Sequence, residues 1–563
     1  MLLVAQEMKP ADRRNYEQAL DQYANRHYSE AAKQMRRVAA RYPKEPDPQF
    51  WLGMMAVKDG FNITAIRRYF SKCIELDPNY PNPLSHYYMA LIHYTDERYG
   101  EAEKELNAYF LMSRGMDDKE VNKVYDEASN YLYWAKFLSD AEVNKAPFNP
   151  VKLQGVSSVH NEIFPFISAD GLTVYYLRQV PVKRPQTFYV PAEVDKEWKL
   201  YSSQWQDTAF SKGTPLPAPF NSGLAEGSVS LTADGEELYY SIIQKKDGYA
   251  NSDIYRVKRK NGVWQKPENC GRQVNGELSW ESQPTISADG KTLIFASNRK
   301  GGMGGIDLWR CHRLSNGDWS RAENLGSAVN TAGNEKAPFL AADGRTLYFL
   351  SDGWQGFGGY DIYFTNIQDN HRNCPTNLGL PINTENDEMS FGVTVDGRRA
   401  YLGCRTEGSQ SSDVLVFDLY ENARPEPMRI VHLNVQDTVG KPVEGWCTLV
   451  VSEGRSSTLC IEEEGMFPEL LTIGACDKQR KVILKTISPG SVHQLQLGSG
   501  LEERMQALAQ WLTGHPRVHL SVECPHKADA QKVLDLLKSH GLRAERFEMR
   551  YGSEIKQPQL RVL

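Results

Sequence analysis

Four aspartates recur at a nearly constant spacing through the middle of the chain, and carboxylates spaced in this way could act as metal ligands around a central channel. They are Asp253, Asp307, Asp361 and Asp413. Each opens a short strand-like pattern, as in Asp307-Leu308-Trp309. A residue that starts a strand in every repeat is well placed to hydrogen-bond the backbone. We therefore expect these aspartates to be structural and the chain to hold no metal.

Two glycine-rich runs could cradle a phosphate through their backbone N–H groups. They are Gly301-Gly302-Met303-Gly304-Gly305 and Gly356-Phe357-Gly358-Gly359. Both recur at the period of the aspartates, and both precede a strand, whereas a phosphate-binding loop precedes a helix. The pattern favours turns in a repeated β structure.

Motifs for catalysis are missing from the sequence. It contains no GxSxG nucleophile elbow, no HExxH, no Walker A motif and no Rossmann fingerprint after a suitable strand. His93, His160, His312 and His526 fall in unrelated segments and have no ligand spacing. We predict a protein that is not an enzyme, with no catalytic residues, no metal and no cofactor.

The aspartates belong to a repeated sequence pattern, which is clearest from Glu281 to Trp309. This pattern predicts the secondary-structure elements on which the aspartates lie. Its Asp-Gly pairs at 170, 234, 289, 343 and 396 lie 64, 55, 54 and 53 residues apart. Asp-Gly favours a tight hairpin turn, and the alternation in Thr292-Leu293-Ile294-Phe295 favours a strand after it. The pattern that begins with the recurring aspartate, as in Asp307-Leu308-Trp309, favours a further strand, and a stretch typical of an edge strand follows it. Each repeat therefore predicts about four strands.

Four strands in roughly 50 residues, repeated radially, are typical of a β-propeller. The phrase ESQPTISADGKTLIFASNRKGGMGGIDLW resembles the WD40-like PD40 propeller repeat of TolB-type periplasmic proteins. We predict five blades over residues 157–418, or six if segments on either side of the repeats assemble another.

Residues 12–140 have helical periodicity and no strand-like alternation of any length. Ala31, Ala65 and Ala102 mark comparable helix positions 34 and 37 residues apart, and Pro43 and Pro78 each follow a helix end. This pattern resembles the tetratricopeptide repeat (TPR), whose period is 34 residues. We predict three repeats and a closing helix. The resemblance implies a groove for a peptide or protein partner, and the alternative is a spacer.

Two smaller domains follow a proline-containing linker. Alternating segments over residues 428–496 resemble the carboxypeptidase regulatory-like β-sandwich. Residues 501–563 read helix, strand, helix, strand. Phrases such as Ala507-Leu508-Ala509-Gln510-Trp511-Leu512 resemble an OmpA C-terminal domain, a family that ties outer-membrane proteins to peptidoglycan. The family's arginine, which would pair with a diaminopimelate carboxylate, is replaced here by Asp529. We therefore expect no peptidoglycan binding through the family site.

The composition is that of an ordinary globular protein. The 563 residues predict several domains, and the net charge of −6 offers no electrostatic attraction for nucleic acid. The nine cysteines contain no CxxC pair, and the sequence leaves open whether Cys447 and Cys460 join. No stretch is apolar for long enough to span a membrane. Residues 1–6 look like the tail of a secretory signal, and the alternative is an ordinary cytosolic N-terminus. The resemblance to periplasmic propeller proteins favours export.

The order of the four domains resembles the PorE-type periplasmic component of the Bacteroidetes type IX secretion system, although no lipobox cysteine stands near Met1. That resemblance implies a periplasmic, outer-membrane-associated scaffold. Its partners would be envelope proteins of a secretion or outer-membrane complex, bound through the helical repeats and the propeller face.

The alternative function is recognition of a glycan or peptide at the mouth of the propeller. Aromatic residues in the blade loops could stack on a sugar. The candidate contact residues are Tyr249, Trp354 and Phe357.

Overall fold

The computed structural model describes residues 8–60, 62–183, 194–246, 249–314, 316–368, 374–405, 411–442, 448–461, 466–467, 469–486, 490–495, 497–498 and 500–563. It forms two compact units, Met1–Lys145 and Ala146–Leu563. Within the described ranges, no helix combines the length and the hydropathy that a membrane crossing needs. The side chains of Tyr249 and Cys460, and all of Cys447, lie outside the described residues.

The first unit consists of helices that pack in consecutive pairs. They are α1 (Pro10–Ala24), α2 (Tyr28–Arg41), α3 (Pro46–Lys58), α4 (Ile63–Leu76), α5 (Leu84–Thr95), α6 (Tyr99–Ser113), α7 (Lys119–Lys123) and α8 (Tyr125–Val143). The pairs are α1 with α2, α3 with α4 and α5 with α6. The first two pairs each pack on the next helix along the chain, and the third pair packs on α8. This is a TPR-like helical repeat, as the sequence predicts.

Local chemistry explains where these helices begin and how closely they pack. Proline occupies the first turn of α1 and α3, where its missing N–H costs nothing. The Asn62 side chain caps α4 by accepting a hydrogen bond of 3.0 Å from Ala65 N. In α3, a Cβ at Gly53 would lie 2.5 Å from the Phe70 ring. Glycine is therefore required at this helix crossing.

The second unit begins with short strands. They are β1 (Val151–Lys152), β2 (Glu162–Ile167), β3 (Thr173–Lys183), β4 (Val194–Gln206), β5 (Ala209–Phe210), β6 (Thr214–Pro215), β7 (Ala225–Leu231), β8 (Glu237–Lys246), β9 (Tyr249–Lys260), β10 (Val263–Trp264), β11 (Glu268–Asn269), β12 (Glu281–Ile286), β13 (Thr292–Ser297), β14 (Asp307–His312), β15 (Glu323–Asn324), β16 (Glu335–Leu340), β17 (Thr346–Ser351), β18 (Asp361–Asn366), β19 (Thr376–Asn377), β20 (Ser390–Val393), β21 (Arg399–Arg405) and β22 (Ser412–Asp418).

These strands form five antiparallel sheets. In chain order, sheet 1 holds β2–β6, sheet 2 holds β7–β11, sheet 3 holds β12–β15, sheet 4 holds β16–β19, and sheet 5 holds β20–β22 together with β1. Each opens with the hairpin that Asp-Gly predicts. The five turn glycines, at 171, 235, 290, 344 and 397, have φ between 66° and 72°.

The first strands of the five sheets contact one another in a closed ring, which makes the region propeller-like. Side chains link neighbouring first strands: Ser230 Oγ accepts from Ile286 N at 3.0 Å, and Gln283 Oε1 accepts from Ala337 N at 2.8 Å. Sheet 5 is joined to sheet 1 in the same way, because Ser390 Oγ accepts from Phe164 N at 2.9 Å.

The ring is also closed within a sheet. Strand β1 precedes sheet 1 in the chain but pairs with β22 of sheet 5, with Val151 opposite Val416 and Lys152 opposite Leu415. The sequence predicts a linker over residues 139–156. The structure instead continues α8 to Val143 and uses two residues of this segment as the outer strand of the last sheet.

The remainder of the second unit is a set of small sheets followed by an α+β layer. Its elements are β23 (Met428–Gln436), β24 (Thr448–Ser452), β25 (Ser457–Ile461), β26 (Met466–Phe467), β27 (Glu469–Ile473), β28 (Gln479–Ile483), β29 (Lys485–Thr486), β30 (Val492–Gln494), α9 (Leu501–Gly514), β31 (Leu520–Cys524), α10 (Lys527–Ser539), β32 (Phe547–Tyr551) and β33 (Gln559–Val562). The last sheet has the order β30-β33-β31-β32, and α9 and α10 pack on it. Strand β30, near the end of the predicted β-sandwich segment, thus belongs to this final sheet.

Candidate functional site

Asp307, Asp361 and Asp413 are buried, and Asp253 is half-buried. Asp253, Asp307 and Asp361 accept hydrogen bonds inside their own sheets, whereas Asp413 forms an ion pair with Lys152. Asp307 is 1% exposed and accepts from Gly304 N at 3.0 Å and from Asn324 Nδ2 at 2.7 Å. Asp361 accepts from Phe357 N and from Asn377 Nδ2, and Asp253 accepts from an asparagine in the same register. These contacts agree with the structural role that the sequence favours.

The glycine-rich runs deliver those backbone N–H groups. Carboxylate oxygens of Asp307 and Asp361 occupy the position that a phosphate would take. The glycines also permit a close approach, because a Cβ at Gly304 would lie 2.0 Å from Gly333 O. The runs are therefore turns whose N–H groups donate to carboxylates of the same chain. Those N–H groups are not free to bind a phosphate.

A second pair of side chains clamps each connection between sheets. Asn275 accepts from Ile254 N at 2.8 Å and donates to Ile254 O at 2.9 Å, and Glu281 then accepts from Gly276 N at 2.9 Å. The same residue types do this at the other connections. They are Asn221 with Glu226, Asn330 with Glu335, and Asn383 with Glu388.

Glu388 differs from its counterparts because one carboxylate oxygen is left over. Thr384 donates to Oε1 from its N (3.1 Å) and its Oγ1 (2.8 Å), while Oε2 is buried without a hydrogen-bond partner among the described residues. At the register position where Ser351 donates to Glu335, sheet 5 has Cys404. Burial, with a further contribution from the Asp361 charge, raises the pKa of Glu388 to about 8.

This raised pKa predicts a pH-dependent stability. Between the pKa of an unfolded glutamate, about 4.3, and the folded pKa of about 8, the native state binds more protons than the unfolded state. The free energy of unfolding should therefore fall as pH rises through this window. Glu388→Gln should be more stable than wild type at pH 8 and should lose that slope, as urea titrations between pH 6 and 9 would measure.

Glu281→Gln is the matched control for this substitution. Glu281 has Arg299 Nη2 at 3.0 Å and accepts from Ser279 Oγ and Ser297 Oγ at 2.6 Å each. Its amide variant should lose stability at every pH, because the arginine would lose its charged partner. If Glu281→Gln and Glu388→Gln changed the free energy of unfolding equally, the raised pKa of Glu388 would be contradicted.

The axis of the ring encloses a cavity of about 30 Å³. It is lined by Phe164, Pro165, Phe166, Ser228, Val229, Ser230, Gln283, Pro284, Thr285, Ala337, Pro338, Phe339, Ser390 and Phe391. Register shifts in β2, β7, β12 and β16 place several of these residues at the axis. Since a water needs at least about 10–15 Å³, the cavity admits about two waters and no sugar ring.

Of the aromatic residues suggested for a sugar site, Trp354 and Phe357 do not line this cavity. Trp354 is half-buried against the core between sheets 3 and 4, and its Nε1 donates to Val329 O at 2.8 Å. Phe357 is half-buried in the turn before β18, where its N–H donates to Asp361. Tyr249 begins β9, and its side chain lies outside the described part of the chain.

Exposed apolar side chains occupy the connections that lead into three of the first strands. Val159, Leu224 and Leu278 precede β2, β7 and β12, and Leu278 is 96% exposed. The corresponding positions before β16 and β20 carry Ala332 and Glu385. These three exposed apolar side chains belong to connections into adjacent sheets, sheets 1, 2 and 3.

The helical unit carries a second surface, the aromatic face. It consists of Tyr23 on α1, Trp51 on α3 and Tyr88 on α5, all half-buried. The Tyr23 and Trp51 rings lie 5.3 Å apart in an edge-to-face arrangement. Burial raises the pKa of Tyr88 to about 12, with a smaller contribution from Glu120. These residues were missed in the sequence, where each looks like an ordinary core aromatic on its helix.

Beneath this face, the helices are joined by a buried carboxylate. Asp47, in the first turn of α3, is 3% exposed and accepts hydrogen bonds from the hydroxyls of Tyr16 and Tyr80. Tyr16 belongs to α1, and Tyr80 lies between α4 and α5. One carboxylate thus joins α1, α3 and the connection between α4 and α5.

In the C-terminal sheet, the strand before α10 carries a paired glutamate. Glu523 is 3% exposed, accepts from Arg561 Nε at 2.8 Å and from Gln559 Nε2 at 2.6 Å, and has its pKa lowered mainly by the arginine. Asp529 lies in the first turn of α10, where a carboxylate suits the helix dipole. Asp529 therefore places an acidic side chain at the start of α10.

No group of three or more His, Cys, Asp or Glu side chains suited to a metal ion occurs within the described ranges. Of the cysteines described there, Cys73, Cys311 and Cys524 are buried as free thiols. The suggested pairing of Cys447 with Cys460 falls on residues that the structure does not describe.

No protein-family model and no curated protein matches the chain. Among similar solved structures, the type III secretion chaperone SycD of Yersinia enterocolitica, in complex with a peptide of the translocator YopD, is 18% identical. That match covers 23% of this chain and 97% of SycD, with a TM-score of 0.20. A puromycin-hydrolysing peptidase of Mycobacterium tuberculosis is 14% identical over 52% of this chain and 43% of its own, with a TM-score of 0.27.

GH43B of a Bacteroides ovatus xyloglucan locus is 13% identical over 48% of this chain and 54% of its own, with a TM-score of 0.31. This chain thus spans about half the length of the last two proteins. The fold described above rests on the helix pairs, sheets and registers of the chain itself.

Proposed function

We propose that this protein is a non-catalytic scaffold of a periplasmic, outer-membrane-associated assembly, as the resemblance to PorE-type components of type IX secretion implies. It would bind envelope proteins through the aromatic face of its helical repeats and through the apolar connections of a five-bladed propeller. Five sheets in a ring closed by β1 support that blade number. The final sheet order β30-β33-β31-β32, with two helices on it, supports an OmpA-like last domain.

The observation that supports the proposal is a contrast between two sets of side chains. The carboxylates are used in hydrogen bonds within the fold, whereas the surface groups are available to a partner. The acidic groups that could do chemistry, such as Asp307 and Glu281, are buried and hydrogen-bonded within their sheets. Apolar and aromatic side chains also lie at the surface, such as Leu278, which is exposed, and Tyr23, which is half-buried. Surfaces of this kind serve protein contacts.

In-cell cross-linking of the full chain in its host tests this proposal. We expect the protein in the periplasmic or outer-membrane fraction, with envelope proteins cross-linked near Tyr23 or Leu278. A photo-cross-linker placed at Lys33, exposed on α2, is the position control. Fractionation with the cytosol and capture of no envelope protein would overturn it.

A sacculus pull-down of the full chain tests the proposed loss of the peptidoglycan contact. Wild type should remain unbound, because Asp529 repels the ligand carboxylate. Asp529→Arg should restore retention if the last domain is OmpA-like in its ligand geometry. Retention of wild type would show that other residues bind the wall.

The alternative, a glycan- or peptide-recognition protein, needs its pocket outside the 30 Å³ axial cavity. It predicts that Trp354→Ala and Phe357→Ala lose binding on a glycan array. Unchanged array binding, or none by wild type, would remove that function.

A further inference from the structure

An acidic residue of the chain itself lies on the aromatic face. Glu120, on the five-residue helix α7, places Oε2 at 3.1 Å from Lys58 Nζ on α3. The two residues are 62 positions apart. The Glu120 charge also acts on Tyr23 of α1 and Tyr88 of α5, whose pKa values it helps to raise. This carboxylate therefore contacts a side chain of the second helix pair and acts electrostatically on side chains of the first and third pairs.

Lys58 is placed to receive a carboxylate at this point. It shares a side of α3 with Trp51, since residues seven apart lie two turns apart on one face. Its side chain is 30% exposed, so its stem is partly packed while its ammonium reaches Glu120. Glu127, the other acid near Tyr88, is hydrogen-bonded to Tyr87. The carboxylate that meets the lysine is thus that of Glu120.

Helix α7, which carries Glu120, is held only weakly against the aromatic face. The Glu120 side chain is 50% exposed, and a half-exposed ion pair contributes little to stability. The anchors of α7 point elsewhere: Asp118 caps its first turn, and Val121 packs into the core, where its carbonyl accepts from Tyr109. Glu120 could leave Lys58 with both anchors still in place.

We propose that Lys58 selects the charge of the partner segment: it binds an acidic side chain whose apolar neighbours pack on the aromatic face, and Glu120 occupies that position in the free protein. The inference rests on the proposed function, in which the helical repeats bind protein partners. It adds the chemistry of the partner, an acidic segment with apolar flanks. It also adds a competitor built into the chain.

Panning a displayed random-peptide library against the full chain tests this inference. Wild type should enrich peptides with Asp or Glu next to apolar residues. Lys58→Glu should enrich basic peptides instead, because the charge at the reading position is reversed. Lys33→Gln, a lysine exposed on α2, is the matched control and should select as wild type does.

Anisotropy titrations with one enriched, fluorescein-labelled acidic peptide give the affinities. Glu120→Gln should bind it about fivefold more tightly, the size of a lost exposed ion-pair competitor. Lys58→Gln should bind it about tenfold more weakly, as for a lost charge-assisted contact. Circular dichroism checks that both variants keep the helical content of wild type.

The outcomes separate the inference from the proposed function. Peptides that bind the aromatic face with no dependence on residues 58 and 120 would overturn the inference and leave the partner-binding role standing. Enrichment of basic peptides by wild type would also overturn it. No enrichment by any form, together with no envelope protein cross-linked near Tyr23 or Leu278, would overturn both.

Discussion

Lys152→Ala should destabilise the propeller-like region by about 3 kcal/mol, because it strips the partner from a buried carboxylate. Asp413 is 1% exposed, and Lys152 Nζ lies 2.7 Å from its Oδ2. In the described part of the chain, no other hydrogen-bond donor with good geometry reaches either oxygen of Asp413. The substitution leaves a bare charge at the strand that closes the ring.

The register of the sheets defines the control. Asparagine stands at the same position of the outer strand in sheets 2, 3 and 4, where Asn269, Asn324 and Asn377 each donate to the aspartate of their sheet. In sheet 5 that position is Lys152, opposite the residue two after Asp413. Lys152→Asn should therefore lose much less stability than Lys152→Ala.

Urea denaturation and hydrogen exchange of peptides from β21 and β22 would measure both variants. Adding Asp413→Asn to Lys152→Ala should recover part of the loss, because it removes the unpaired charge. Unchanged protection of β22 in Lys152→Ala would show that the two-residue strand does not hold the ring closed.

Asp47→Ala should have the second-largest effect, about 3 kcal/mol, because it removes the acceptor of two hydrogen bonds to a charged group. The hydroxyls of Tyr16 and Tyr80 would stay buried without it, since their residues are 2% and 8% exposed. Segments α1, α3 and the α4–α5 connection should lose hydrogen-exchange protection together.

Two controls test the reason for that loss. Asp47→Asn keeps an oxygen acceptor of the same shape and should lose less than Asp47→Ala. Tyr80→Phe removes one of the two bonds and should lose about 1.5 kcal/mol. The second unit should keep its protection in all three variants, because Asp47 lies in the first unit. Loss confined to α3 would contradict a carboxylate that joins three segments.

Periodic features could be predicted from the sequence because each depends on local chemistry. The Asp-Gly pairs predict hairpins, since glycine is needed where φ is positive, and the turn glycines have that φ. The aspartates at strand starts predict structural hydrogen bonds, and Asp307 makes them. The helical periodicity predicts the TPR-like unit, where Gly53 admits the Phe70 ring.

Other features depend on contacts between residues far apart in the chain, so no local pattern announces them. Val151–Lys152 looks like part of a linker, because two residues directly after Pro150 are too few to show a strand period. Only the pairing with β22 makes them a strand. The sequence likewise predicts neither the narrow axis nor the exposure of Leu278, since both follow from how five sheets meet.

The sequence by itself determined the types of element and their order, because turn glycines, strand alternation and helix spacing act within a few residues. The tertiary structure decided which surfaces are left for partners. Lys58 and Glu120 lie 62 residues apart, and each is an ordinary surface charge on its own helix. They meet on the aromatic face because stacking the helix pairs brings α3 and α7 together, and packing of that kind is not encoded in any one segment.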